Sequence, residues 1–156
     1  MNKILIFLCG LLFSFSAYAI QIDNPKVFVK ARPKRQTVLR IRVINPDPAP
    51  AAVRVYLQDF EYSEPFNGPK KFFPAGTSKH SLMSWVKFSP GYFVLQPDGA
   101  QVVQIVIEPD TKIDETHCGV LFFETAIGNA VGMEENVSVL GRVGSLIFVE
   151  PARPQR

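Results

Sequence analysis

The stretch Thr37-Val38-Leu39-Arg40-Ile41-Arg42-Val43-Ile44-Asn45 decides the fold class. Leu39, Ile41 and Val43 project to one side of an extended chain and Arg40 and Arg42 to the other, because successive side chains of a strand alternate between faces. One apolar and one charged face is the pattern of a strand buried on one side. The run ends at Asn45-Pro46-Asp47-Pro48-Ala49-Pro50, where prolines cannot donate to a sheet ladder.

The same period recurs outward from this stretch. Val53, Val55 and Leu57 alternate with Arg54 and Gln58, and Val103, Ile105 and Ile107 with Gln104 and Val106. Leu121 and Phe123 alternate with Val120 and Phe122, so this segment is apolar on both sides, as a central strand is. Val27–Val29, Met83–Phe88, Tyr92–Leu95 and Val137–Val149 complete the set. Turn residues separate them: Ser89-Pro90-Gly91, Pro97-Asp98-Gly99 and the polar connection Asp110–Thr116. Phe66–Ser81 reads as the longest irregular piece, and Gly128–Asn136 as a loop. No window has a helical period. The expectation is an all-β sandwich of seven or eight short strands, its sheets packed through Leu39, Ile41, Val55, Trp85, Ile105 and Phe123.

Length and composition agree. The chain has 156 residues, 47% of them apolar, with 13 Pro and 10 Gly; that suits one domain rich in turns and excludes a long helical bundle. A formal charge of +3 is too small a surplus to argue for nucleic acid. Residues 1–19 have one lysine, Lys3, then an apolar run and an Ala17-Tyr18-Ala19 site. This is the form of a secretory signal peptide, and the run is shorter than the roughly 20 residues of a membrane span. The expected organisation is a signal peptide over 1–19, a sandwich over 20–150 and a frayed tail over 151–156. No stable membrane insertion is expected after cleavage, and the style of the signal points to a bacterial periplasm.

Candidate chemistry is sparse. Cys118 is the one cysteine beyond residue 19, so no internal disulfide is expected. It reads as a small buried hydrophobe or as a thiol for an intermolecular bond. His80 and His117 are too few and too far apart for a metal site. His117 and Cys118, as strand neighbours, point to opposite faces and do not form a catalytic pair. Asp59 and Glu61 share a strand face at about 7 Å, either as a solvated strand end or as an acid–base pair. No nucleophile elbow or phosphate loop is present. No cofactor, no metal and no catalytic residue are assigned. Lys30, Arg32, Lys34 and Arg35, with Arg40 and Arg42, form either a charged edge that resists sheet-to-sheet association or a basic face for an acidic partner.

Several motifs in order resemble one family. Val43-Ile44-Asn45-Pro46, then Pro90-Gly91-Tyr92-Phe93-Val94-Leu95-Gln96-Pro97-Asp98-Gly99-Ala100-Gln101, then Cys118-Gly119-Val120-Leu121-Phe122-Phe123-Glu124-Thr125, then Ile147-Phe148-Val149-Glu150-Pro151 are similar to the first domain of PapD-type periplasmic pilus chaperones. The resemblance implies an immunoglobulin-like sandwich that binds a protein partner, a pilin-like or other exported β-rich subunit, by β-strand addition. It implies Val137, Val139, Gly141 and Val143 as donor-strand positions, with Gly141 where a large apolar residue is expected. It also implies a carboxylate anchor, for which Lys26, Lys30 and Arg142 are the available cations; the last strand lacks the family's lysine. The resemblance implies the family's first domain alone, and no second domain is expected. Two readings stand: a chaperone-like role in pilus or surface-structure assembly, and a structural immunoglobulin-like subunit of an envelope or surface assembly.

Overall fold

The computed structural model describes residues 19–63, 68–129 and 138–152, with the side chains of 127–129 and 138 left aside. Ten strands and no helix are present among them: β1 (Gln21–Ile22), β2 (Lys26–Ala31), β3 (Thr37–Ile44), β4 (Ala51–Tyr62), β5 (Lys70–Pro74), β6 (Val86–Ser89), β7 (Tyr92–Leu95), β8 (Ala100–Ile107), β9 (His117–Asn129) and β10 (Ser138–Pro151). One sheet has the order β1-β3-β8-β6. The other runs β2-β10-β9-β4-β5, with β7 also paired to β4. The two pack face to face as a sandwich.

The deciding stretch behaves as its alternation requires. β3 pairs antiparallel with β8 along its whole length, Leu39 opposite Ile105 and Ile41 opposite Val103. Ile41, Val43, Val103, Ile105 and Ile107 are fully buried, while Arg40 and Arg42 lie in solvent. From the other sheet Val53, Val55, Leu121, Phe123, Ile147 and Val149 complete the core. Each such side chain contributes on the order of 1.5–3 kcal/mol by leaving water. Cys118 is a free thiol, so packing carries the fold.

The strand count exceeds the expected seven or eight because two short strands had no clear pattern. β1 is only two residues long. β5 lies inside Phe66–Ser81, the piece read as irregular. Its neighbours Lys70, Lys71 and Pro74 hide the period, but its register against β4 (Phe60 opposite Phe72, Tyr62 opposite Lys70) is regular. The strand read over Met83–Phe88 begins later, at Val86. Residues 82–85 form a tight turn, with the Trp85 and Val86 amides each donating to the Leu82 carbonyl at 3.0 Å. That turn plugs one end of the sandwich with the buried Leu82 and Trp85.

Asn45, at the end of β3, is 1% exposed. Its Nδ2 donates to the Ala49 carbonyl at 2.8 Å and the Gln96 carbonyl at 3.3 Å, and its Oδ1 accepts from the Asp47 amide at 3.1 Å. One side chain therefore ties the proline-rich turn after β3 to the turn between β7 and β8. Asp59 differs from both sequence readings. It is fully buried: Oδ2 accepts from the Thr77 and Ser78 amides at 2.8 and 2.9 Å, and Oδ1 from the Ser81 hydroxyl at 2.7 Å. Glu61 stays exposed and accepts from the Ser78 hydroxyl at 2.9 Å. The two carboxylates fasten the 75–82 segment across the end of the sandwich and do not line a cleft.

Candidate partner-binding edge and its outward face

β10 is long enough to be treated in two halves. Along its length it pairs antiparallel with β9, from Ser138 opposite Asn129 to Val149 opposite His117, with a register shift between Ser138 and Leu140. On its other side β2 runs parallel to it, but only over Leu146–Pro151. The boundary is marked by the Leu146 amide donating to the Pro25 carbonyl at 2.9 Å and the Ser145 hydroxyl to the Asn24 carbonyl at 2.6 Å. From Val139 to Gly144, no strand among the described residues covers that side. Among the described residues, half of the strand is an internal rib and half is an edge whose outer backbone donors and acceptors meet no partner strand.

The donor-strand residues named from the sequence fall on this open half, except Val137, which lies outside the described residues. Val139 sits at the register shift and is 46% exposed. Gly141 and Val143 face inward, opposite the buried Thr125 and Phe123. The missing side chain at Gly141 coincides with a buried Thr125 hydroxyl that has no hydrogen-bond partner. The strand runs without a break through Arg142 and Gly144; the irregularity is at Val139. Gly144 is required by close approach, since a Cβ there would meet Val120 Cγ2 at 2.8 Å and Phe122 Cε1 at 2.9 Å.

The three candidate cations do not form one cluster. Arg142 projects outward from the middle of the open half, its guanidinium 4.6 Å from the centre of the Phe122 ring and 5.8 Å from that of Phe72. Lys26 stands where the open half ends, opposite Leu146, its ammonium 5.0 and 5.2 Å from the Phe28 and Phe148 rings. Lys30 is two pleat repeats further along, opposite Glu150, roughly 13 Å from Lys26 by strand rise. Lys26 and Arg142 thus border the open edge and Lys30 does not.

The sequence reading missed the layer these cations rest on. Phe60, Val120 and Phe122 form a second buried cluster on the outward face of the larger sheet, with Tyr56, Tyr62, Cys118, Leu146 and Phe148 packed round it. Its signal was present in Tyr56, Phe60 and Tyr62 at alternate positions of β4, and in the two-sided apolarity of β9. Tyr56 donates to Glu124 Oε2 at 2.8 Å. Burial first, and then the Glu124 carboxylate, raise its phenol above the ordinary value, while Arg142 works against the shift.

Cys118 belongs to this outward layer and His117 to the opposite face, where its ring lies 4.1 Å from that of Trp85. The Cys118 thiol donates to the Phe60 carbonyl at 3.6 Å. Burial, then the Asp59 and Glu61 carboxylates, push its pKa from 9.0 up to about 11. The fold favours the neutral thiol, so this contribution to stability is fully present below pH 9 and is lost as pH rises toward 11. Urea midpoints of the wild type should therefore fall relative to those of Cys118→Ala between pH 9 and 11, and run parallel to them below pH 8. Among the described residues there is no cluster of His, Cys, Asp and Glu able to hold a metal, and no helix long and apolar enough to cross a membrane.

No protein-family model and no curated protein matches this sequence. Solved structures do. The E. coli chaperone DraB is 16% identical with a TM-score of 0.56, over 86% of this chain and 55% of that one. The SafB chaperone in complex with SafA pilin from Salmonella enterica gives 14% and 0.57, over 89% and 57%. The seventh PapD-like domain of human CEP192 gives 10% and 0.54, over 87% of each chain. The chain thus spans a little over half the length of these fimbrial chaperones. At such identities the likeness speaks for architecture, and with the split order of β1 and β2 between the two sheets it leads to one conclusion: the chain has the PapD-like, immunoglobulin-type β-sandwich fold.

Proposed function

We propose that this chain is an exported, non-enzymatic, chaperone-like domain of pilus or surface-structure assembly that works in the periplasm and binds a pilin-like or other β-rich subunit by strand addition. The observation that carries the reading is the half-covered β10: Val139–Gly144 offers a backbone edge beside a strand already locked in the core by Ile147 and Val149. A partner strand laid there gains main-chain hydrogen bonds for affinity and meets side chains of alternating direction for register. Val139, Gly141 and Val143 would lie along the contact, with Val137 extending it. Lys26 and Arg142 stand at its border as cations for a carboxylate, and Lys30 is set aside by its distance. The structures solved with a pilin and with a tip adhesin bound to their chaperones support a partner of this kind.

The test places a photo-crosslinking residue at position 139 in the full chain, expressed with its leader in the native host. Crosslinking to one β-rich envelope subunit, lost when Val143→Asp is added, is the expected result. Val139→Lys, at an exposed position, should cut binding at least tenfold with the urea midpoint unchanged, which separates loss of the edge from loss of the fold. A ladder of crosslinked copies of this chain would instead establish the structural-subunit reading. A clean monomer would remove the strand-addition mechanism.

A further inference from the structure

The outward face of the larger sheet is unlike the solvated side of an antiparallel sheet, which is ordinarily polar. Aromatic rings from β2, β10, β9, β4 and β5 meet there: Phe28 and Phe148 stack at 4.9 Å, Phe60 meets Phe148 and Tyr62 edge-on at 5.8 Å, and Phe72 meets Phe122 edge-on at 5.2 Å. Phe28, Phe72 and Leu140 stand 59%, 40% and 61% exposed above this layer. Cations ride on the rings: besides Lys26 and Arg142, Arg54 lies 5.7 Å from the Tyr56 ring and Lys70 5.2 Å from the Tyr62 ring. Among the described residues none of these four is within ion-pair distance of a carboxylate. Among the described residues the acids on this face are Glu124, which lies between Arg54 and Arg142 in register without an ion pair to either and accepts from the Tyr56 hydroxyl, and Glu150, which stands opposite Lys30.

We propose that this face is a docking surface for an acidic polypeptide segment that also carries apolar side chains; it adjoins the open edge of β10, sharing Lys26 and Arg142 at the border, but needs no strand added to that edge. Charge selects the occupant. A second copy would set Lys26, Arg54, Lys70 and Arg142 against their own equivalents, so self-association through this face is disfavoured. Stacked bases or sugars need free ring faces, and here the rings meet one another edge-on or lie beneath cations. A bilayer core needs a continuous apolar surface, whereas the exposed Phe28, Phe72 and Leu140 are interspersed with four cations. An acidic segment with intervening apolar residues satisfies both components: carboxylates meet cations held over low-dielectric rings, and apolar side chains cover Phe28, Phe72 and Leu140.

The test titrates the full chain with two synthetic peptides, one alternating Leu and Glu, the other Leu and Gln. It compares wild type with a face variant, Arg54→Gln/Lys70→Gln, and an edge variant, Val139→Lys. Both variants change exposed positions and should melt as the wild type does. The Leu–Glu peptide is expected to bind wild type and edge variant alike, and the face variant about tenfold more weakly. Its affinity should fall with added salt, and the Leu–Gln peptide should not distinguish the three proteins. Equal binding of the two peptides to wild type would overturn the proposal, as would a loss confined to the edge variant, which would leave only the edge as a binding site. Tighter binding of phosphatidylglycerol vesicles or of a single-stranded oligonucleotide, lost in the face variant, would reassign the face to a membrane or to nucleic acid. Dimers that disappear in the face variant would reassign it to a second copy.

Discussion

Asp59→Ala is expected to lower the unfolding free energy by about 3–5 kcal/mol, the scale for removing one member of a buried charge network. The carboxylate accepts from two backbone amides and one hydroxyl at no more than 2.9 Å. Truncation would leave the Thr77 and Ser78 amides and the Ser81 hydroxyl facing a dry cavity. Ser81 transmits the damage, because its oxygen also accepts from the Gly76 and Met83 amides at 3.0 and 3.2 Å. Asp59→Asn keeps Oδ1 as an acceptor for the amides but turns its Nδ2 toward a serine oxygen that already accepts from two amides, so it should recover only part of the loss. Urea melts at pH 7 check this order; an Asp59→Ala midpoint within error of wild type would refute the fastening role.

Phe60→Ala is the second large effect, about 3–5 kcal/mol, the range for emptying a buried phenylalanine site. Phe60 is fully buried although it points away from the space between the sheets. Phe28→Ala, on the same face but 59% exposed, should cost no more than about 1 kcal/mol. The contrast between the two, read from denaturant melts with unchanged slope, establishes whether the outward layer is a second core. Similar small losses at both positions would show that it is merely surface.

The inward half of this protein is legible in its sequence because alternation is a local property. Leu39, Ile41 and Val43 declare their face without knowledge of any other strand, and the same holds for Val103, Ile105 and Ile107. Three things were not local. The burial of Asp59 depends on a segment about twenty residues later folding back to supply amides, and no pattern around Asp59 reports that. β5 is recognised only through its partners on β4, since Lys70-Lys71-Phe72-Phe73-Pro74 has no clean period of its own. The rings of the aromatic layer stand strand by strand in the sequence, in Tyr56, Phe60 and Tyr62 and in Phe122, yet outward positions are ordinarily solvated and no single strand shows that the rings meet. The candidate edge residues could be placed by resemblance, but the coverage of β10 over only Leu146–Pro151 depends on where β2 begins.

The route of the chain between β1 and β2 has a consequence of its own. β1 pairs with β3 in one sheet, and a few residues later β2 lies against β10 in the other. Asp23-Asn24-Pro25 is thus a bridge between layers, closed by the Arg42 amide donating to Asp23 Oδ1 at 2.9 Å and the Asp23 amide to the Arg42 carbonyl at 3.2 Å. It works as a length stop. Where the bridge crosses fixes how much of β10 is sheathed and how much is left bare. A protease cut within it would free β2 to peel away, exposing β10 as far as Pro151 and turning a short, selective edge into a long one of the kind that joins indiscriminately with its neighbours.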